Sequence, residues 1–218
     1  MRYFTQGQRS VVLLVSILAF IILTPLLEGE PRGELILVIN MYLTLVAATM
    51  ELKERRVLFF IAIPIAAASM LLLLHYVHRT RALSIANSSV LALFLALVSV
   101  SLFADLGRSG QITTGRIYVS VSLYFLLAMV WFAIYSLLDA IHPGSFAEAG
   151  ATLVGRVAPS KILYFSLTTL TTLGYGDIVA VGPIARMTAA LEAAVGVLYI
   201  AITVARLVAS YQTRNRED

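Results

Sequence analysis

Seven consecutive residues in the last quarter of the chain, Thr171-Thr172-Leu173-Gly174-Tyr175-Gly176-Asp177, set two glycines at alternate positions beside hydroxyl-bearing neighbours. An ordinary strand alternates the direction of its groups from residue to residue. Glycines at 174 and 176 reach positive φ freely, which lets successive carbonyls face one way, and Thr172 adds a hydroxyl below them. Oxygens gathered on one axis can replace the water shell of a cation. A Gly-x-Gly alone is more often a surface turn, so the weight rests on its surroundings. The second chemical feature is Glu192, an acid inside an apolar run. Such a group costs ~2.5 kcal/mol or more in a bilayer unless it is paired. A hydrogen bond to Ser166, Thr168 or Thr169, tying two helices together, is the favoured role.

The elements that position these residues follow from composition. Of 218 residues 60% are apolar and 13% charged, and the mean hydropathy is +0.90, which places the chain in a membrane. The absence of cysteine excludes disulfides, zinc–thiolate centres, iron–sulfur clusters and thiol nucleophiles. The sixteen Lys and Arg are dispersed between apolar blocks, which reads as membrane topology and not as a nucleic-acid patch, despite a net charge of +4. No nucleophile, metal cluster or phosphate loop points to an enzyme.

A helical crossing needs about 20 apolar residues. Val11–Leu27, Leu35–Met50, Val57–Leu74, Ala82–Ala104, Ile117–Leu138 and Met187–Ala205 meet or approach that length, which predicts six crossings. The first lacks an Ala-x-Ala cleavage site and reads as an uncleaved anchor; Pro64 should kink the third. Ten basic residues (Arg2, Arg9, Lys53, Arg55, Arg56, Arg108, Arg116, Arg206, Arg214, Arg216) fall on one side and six on the other. Both termini are therefore expected in the cytoplasm, the protein lying in the cell membrane. The discordant piece is His75–Arg81, which carries two arginines on the outer side.

Between the last two crossings, residues 139–185 are too long for a turn and too polar at the start for a span. Ser160 is a plausible N-cap for a short helix, Lys161–Thr171, whose eleven residues rise only about 16 Å. Such a segment enters the membrane and returns, and irregular backbone at that depth survives only inside protein or beside water.

In that setting Thr172-Leu173-Gly174-Tyr175-Gly176 resembles the Thr-Val-Gly-Tyr-Gly filter of the tetrameric potassium channels. The resemblance spans Ile117 to about Tyr211. It implies an all-α membrane protein of six transmembrane helices plus a re-entrant pore helix and filter, assembled as a four-fold homotetramer because one loop occurs per chain. It divides the chain into a four-helix bundle, 1–106, and a pore domain, 107–218, with outer helix 117–141, pore helix 160–171, filter 172–177 and inner helix 184–210. Potassium ions are the expected permeant partners, held by Thr172, Leu173, Gly174 and Tyr175, with Gly176 completing the filter. Tyr164 and Thr168 support the filter from the pore helix, and Tyr164 is expected to bond Asp177. Thr168 stands where some relatives carry a glutamate, so a carboxyl pair with Asp177 is excluded. Gly196 falls where the family has a flexible glycine. If it faces the pore, helical spacing brings Ile200, Val204 and Val208 to the same apolar lining.

The function so implied is passive potassium-selective conduction with no cofactor. Two rivals are a weakly selective cation channel and a non-conducting channel-like subunit. Ala82–Ala104 contains no arginine, so voltage gating by a conventional sensor is not expected. Beyond Ala205 the thirteen remaining residues are too few for a regulatory domain, and Arg206, Arg214 and Arg216 are expected on the lipid surface. His75, His78 and His142 read as solvated loop residues.

Overall fold

The computed structural model describes residues 6–30, 32–51, 80–107, 113–153, 155 and 157–217. It is mostly helical. The elements are α1 (Gln6–Leu27), α2 (Gly33–Glu51), α3 (Arg81–Gly107), α4 (Thr114–Ile141), β1 (Phe146–Glu148), β2 (Ala151–Thr152), α5 (Pro159–Leu170), β3 (Ile178–Ala180) and α6 (Pro183–Glu217). Among the described residues four helices, α1, α3, α4 and α6, are long and apolar enough to cross a membrane, which makes this an integral membrane protein. The apolar part of α2, Leu35–Glu51, is shorter. The expected third span, Val57–Leu74 with Pro64, lies outside the described residues, as do His75 and His78.

Each observed helix overruns the apolar run that announces it, because polar residues at the ends of a crossing still complete helical hydrogen bonds at the interface. The extreme case is α6, which runs to Glu217, past the expected end near residue 210. Helix α4 is the hub. Both α1 and α3 pack along it, burying Leu13 and Ile17 of α1 and Phe94, Leu95 and Val98 of α3 against Leu123, Leu126 and Met129. The ring of Phe20 meets Phe132 edge-on, with centroids 6.3 Å apart.

Contacts at the helix ends set the directions of the chain. Ser10, near the start of α1, donates to Glu51 at the end of α2 (3.2 Å), and Gly7 lies against Gly115 in the first turn of α4. At the other end of α4, Arg81 in the first turn of α3 donates to the carbonyls of Ala140 (2.8 Å) and Ile141 (2.7 Å), satisfying oxygens that the helix leaves free. Glu51 and Arg81 therefore lie at opposite ends of a 28-residue helix, a rise of about 42 Å. The discordant Arg81 has a structural occupation: it caps the hub helix.

The all-α expectation needs one correction. Residues 139–185 contain a small antiparallel sheet of order β2-β1-β3, in which Glu148 is registered with Ile178 and Ala147 with both Val179 and Thr152. Strands of two or three residues leave no periodic trace in a sequence, and their pairing joins segments some thirty positions apart.

Candidate functional site

Helix α5 starts at Pro159, one residue before the expected Ser160 cap. Its N-cap is Ala158, which makes no side-chain cap bond, and Pro159 occupies the first turn, where a missing N–H costs nothing. Twelve residues rise about 18 Å, well short of a ~30 Å hydrocarbon layer. The helix ends by folding its next amides back onto its own last carbonyls. Thr172 N–H donates to Thr169 O (2.9 Å), and the N–H groups of Leu173 and Gly174 both donate to Thr168 O (2.8 and 3.1 Å). Left-handed backbone then recurs at every second residue, with φ of 58° at Thr172, 48° at Gly174 and 80° at Gly176. The two glycines were legible in advance. Thr172 was not, because a β-branched residue disfavours this region and holds it only where its surroundings over-determine it. Leu173 and Tyr175 are 55% and 69% exposed on the single chain.

The residues expected to support this loop are placed as follows. Partial desolvation, then the nearby Asp177 carboxylate, hold the Tyr164 phenol above its ordinary range. Thr168 is buried and donates to Phe165 O within its own helix. Gly196 meets the end of α5: a Cβ there would lie 2.0 Å from Leu170 O, so the glycine is required for close approach of two helices. Ile200 and Val204 are half-exposed along the same helix, and Val208 follows within α6. Arg206, expected on the lipid surface, sits over the Phe103 ring at 5.3 Å. His142 is exposed at the C-cap of α4.

Glu192 is fully buried, and of its three candidate partners the structure selects Ser166, whose hydroxyl lies 2.6 Å from Oε1. Sequence reasoning missed the second partner, Tyr135 of α4, 2.5 Å from Oε2. The only signal was a phenol in the middle of an apolar run; in a bilayer such a tip must find a partner. The Tyr135 ring packs edge-on against Phe146 of β1 and Phe165 of α5, centroids 5.7 and 5.1 Å away. Tyr124 donates to Leu170 O (3.3 Å) and Tyr199 to Ser120 O (2.6 Å), so α4, α5 and α6 are cross-linked by polar bonds at three levels.

The sheet packs beside the loop and the start of α5. Ala149 N–H donates to Asp177 O (3.0 Å), β3 begins at the next residue, and Glu148 of β1 forms an ion pair with Lys161 in the first turn of α5. Asp139 receives Val157 N–H at 2.9 Å, anchoring the chain just before α5. The arrangement is a short helix and a strained loop held rigidly between two long apolar helices.

Residues 117–213, from outer helix through loop to inner helix, match the ion channel family. The inward rectifier potassium channel Kirbac3.1 of Paramagnetospirillum magnetotacticum is 29% identical over 86 residues, 39% of this chain and 25% of that protein. The potassium voltage-gated channel protein shk-1 of Caenorhabditis elegans is 33% identical over 73 residues, 34% of this chain and 14% of that protein. Residues 117–213 therefore match an ion-channel domain, and both relatives similar to this chain are named as potassium channels. The chain spans about a quarter and a seventh of the length of these two relatives. No solved structure matches the channel.

Proposed function

We propose that the channel conducts potassium selectively and passively as a homotetramer, with the carbonyls of Thr172, Leu173, Gly174 and Tyr175 and the Thr172 hydroxyl replacing the ion's hydration shell. The observation that carries this reading is the left-handed backbone at 172, 174 and 176, immediately behind a helix too short to cross. Alternation of handedness turns what would be alternating carbonyls toward one side. One such loop per chain cannot enclose an ion, and the exposure of Leu173 and Tyr175 leaves a face for three further copies. Four α5 helices would then aim their C-terminal partial negative charge at the axis below the filter, which favours a cation. Two relatives whose names describe potassium channels support the choice of ion.

In this reading Tyr164 and Asp177 brace the filter from behind, and Ile200, Val204 and Val208 line the inner vestibule, an apolar constriction that closes by dewetting. Gly196 keeps α6 close enough to α5 to hold that line. Helices α1 and α3 pack on α4, and six crossings with both termini in the cytoplasm are compatible with the opposite placement of Glu51 and Arg81. No arginine series is carried by α3, so opening is independent of a conventional sensor.

The test is flux from purified protein in liposomes. A potassium-dependent current that sodium does not replace is the expected result. A current carried equally by sodium would favour a weakly selective channel, and its absence in correctly assembled protein would favour a non-conducting subunit.

A further inference from the structure

Two short oxygen–oxygen contacts reach Glu192 and a third continues from Ser166 to Ala128, and the two hydroxyls involved carry only two protons. Tyr135 Oη lies 2.5 Å from Glu192 Oε2, and Ser166 Oγ lies both 2.6 Å from Glu192 Oε1 and 2.8 Å from the Ala128 carbonyl. A hydroxyl donates once, and a carbonyl only accepts. Were the carboxyl ionised, Ser166 would have to choose. Donation to Glu192 would leave its oxygen facing the Ala128 oxygen with no hydrogen between them, and donation to Ala128 would leave the same fault against Oε1. Each choice strands a close pair of lone-pair oxygens in a buried site, where an unmet polar contact is most costly.

We propose that Glu192 is a protonated carboxylic acid, donating from Oε1 to Ser166 Oγ while Ser166 donates to Ala128 O and Tyr135 donates to Oε2. Every contact then has one proton and every donor is used once. The result is a closed ring: it leaves α4 at Ala128, crosses α5 at Ser166 and α6 at Glu192, and returns to α4 at Tyr135, two turns along. The ring holds the pore helix four residues before the turn that begins the filter.

The surroundings suit a neutral acid. From α4 the titratable groups facing Glu192 are Tyr135 and, farther off, Tyr124, which is occupied by Leu170 O. From α5 there is only the Ser166 hydroxyl; Lys161 is paired with Glu148 on β1. Arg186, on the same helix as Glu192, is bonded to Ala180 O. Among the described residues no Lys, Arg or His pairs with Glu192. Loss of the proton turns the Ser166 hydroxyl toward the carboxylate and breaks its link to Ala128. The ring is therefore intact at low and neutral pH and opens as pH rises through the ionisation of Glu192, loosening the pore helix from the outer helix.

Infrared spectroscopy of the purified full chain in lipid reads the proton directly, whether or not the protein conducts. The wild type should show the carbonyl stretch of a protonated carboxyl at neutral pH, shifted in heavy water, lost at alkaline pH and missing in E192Q. Y135F should move that band to higher frequency, because the carbonyl oxygen loses its donor. In flux measurements the wild type should lose activity several-fold at alkaline pH, while E192Q, whose amide mimics the protonated form, should show a flat profile. No protonated-carboxyl band separating wild type from E192Q would overturn the proposal, as would a band that Y135F leaves in place. Should E192Q fail to assemble, the alkaline loss of the band and its shift in Y135F decide the matter. A protein with the band but no flux would refute the proposed conduction and leave the ring standing.

Discussion

The bundle helices and the pore helices face the same solvent problem and solve it differently. In α1, α2 and α3 the hydroxyls turn back on their own helix: Ser16 to Leu13 O, Thr24 to Phe20 O, Thr44 to Asn40 O, Ser89 to Ile85 O and Ser101 to Leu97 O. Polar links between those helices occur at their ends, as at Ser10 and Glu51. In α4, α5 and α6 some hydroxyls also turn back, as at Ser120, Ser136, Thr168 and Thr188, but Tyr124, Tyr135, Ser166 and Tyr199 cross to a neighbouring helix at mid-depth. A self-satisfied hydroxyl is indifferent to where the next helix stands, whereas a cross-helix bond specifies register and distance. These four cross-helix tips fix geometry around the loop, whereas α1 and α3 are held on α4 mainly by shape.

That contrast can be broken most severely at glycine. G196A puts a Cβ 2.0 Å from Leu170 O, and the shift needed is expected to cost about 3 kcal/mol, seen as loss of the assembled species on mild heating in detergent. The paired control, G7A in the bundle, meets nothing within 4 Å and should be silent. Equal tolerance of both would mean that α5 and α6 are not held at close range.

Next in size is G176A. The φ of 80° costs a non-glycine residue about 1–2 kcal/mol, and potassium-over-sodium selectivity should collapse. Wild-type selectivity in that variant would remove residues 172–176 from the ion path.

A direct comparison of the two regions comes from serine. S166A strands buried partners on two helices and should cost about 1–3 kcal/mol, while S89A, which loses a bond within its own turn, should stay within about 0.5 kcal/mol. Equal drops in thermal midpoint would erase the distinction drawn above.

Y164F should have a smaller effect, a modest fall in selectivity measured from reversal potentials. The sign of its pH dependence is set by the raised phenol: the neutral donor is favoured in the folded state. The contribution of the Asp177 interaction is thus complete below pH 10.0, the ordinary phenol value, and is lost only as pH rises through the higher folded one. Between pH 6 and 9 wild type and Y164F should therefore differ by a constant factor. The least change is expected from voltage. A conductance–voltage relation in symmetric potassium should be shallow, and a limiting slope near 12 charges per tetramer would show sensing groups where α3 has none.

Much of this was legible residue by residue. Apolar run lengths announced every described crossing because a bilayer imposes one length on all of them. The glycines at 174 and 176 announced their backbone because no other residue reaches positive φ so cheaply. Glu192 announced that it needed a partner, and the short helix it was expected to face offered three hydroxyls, Ser166, Thr168 and Thr169. These are local statements, in which a residue type and its near neighbours carry the physics.

What only the tertiary structure decided concerns pairs distant in sequence. Tyr135 is fifty-seven positions from Glu192, and nothing in the spacing distinguishes it from Tyr124 as a partner. Gly196 reads equally as a hinge or as a contact until the Leu170 carbonyl is seen against it. Arg81 reads as a topological anomaly until it reaches the open carbonyls of α4. The sheet over the filter and the left-handed Thr172 depend likewise on neighbours that only packing supplies. Helix length and backbone freedom belong to single segments and are written along the chain; helix-to-helix hydrogen bonds belong to a surface, and which side chains meet on it is settled by how α4, α5 and α6 pack.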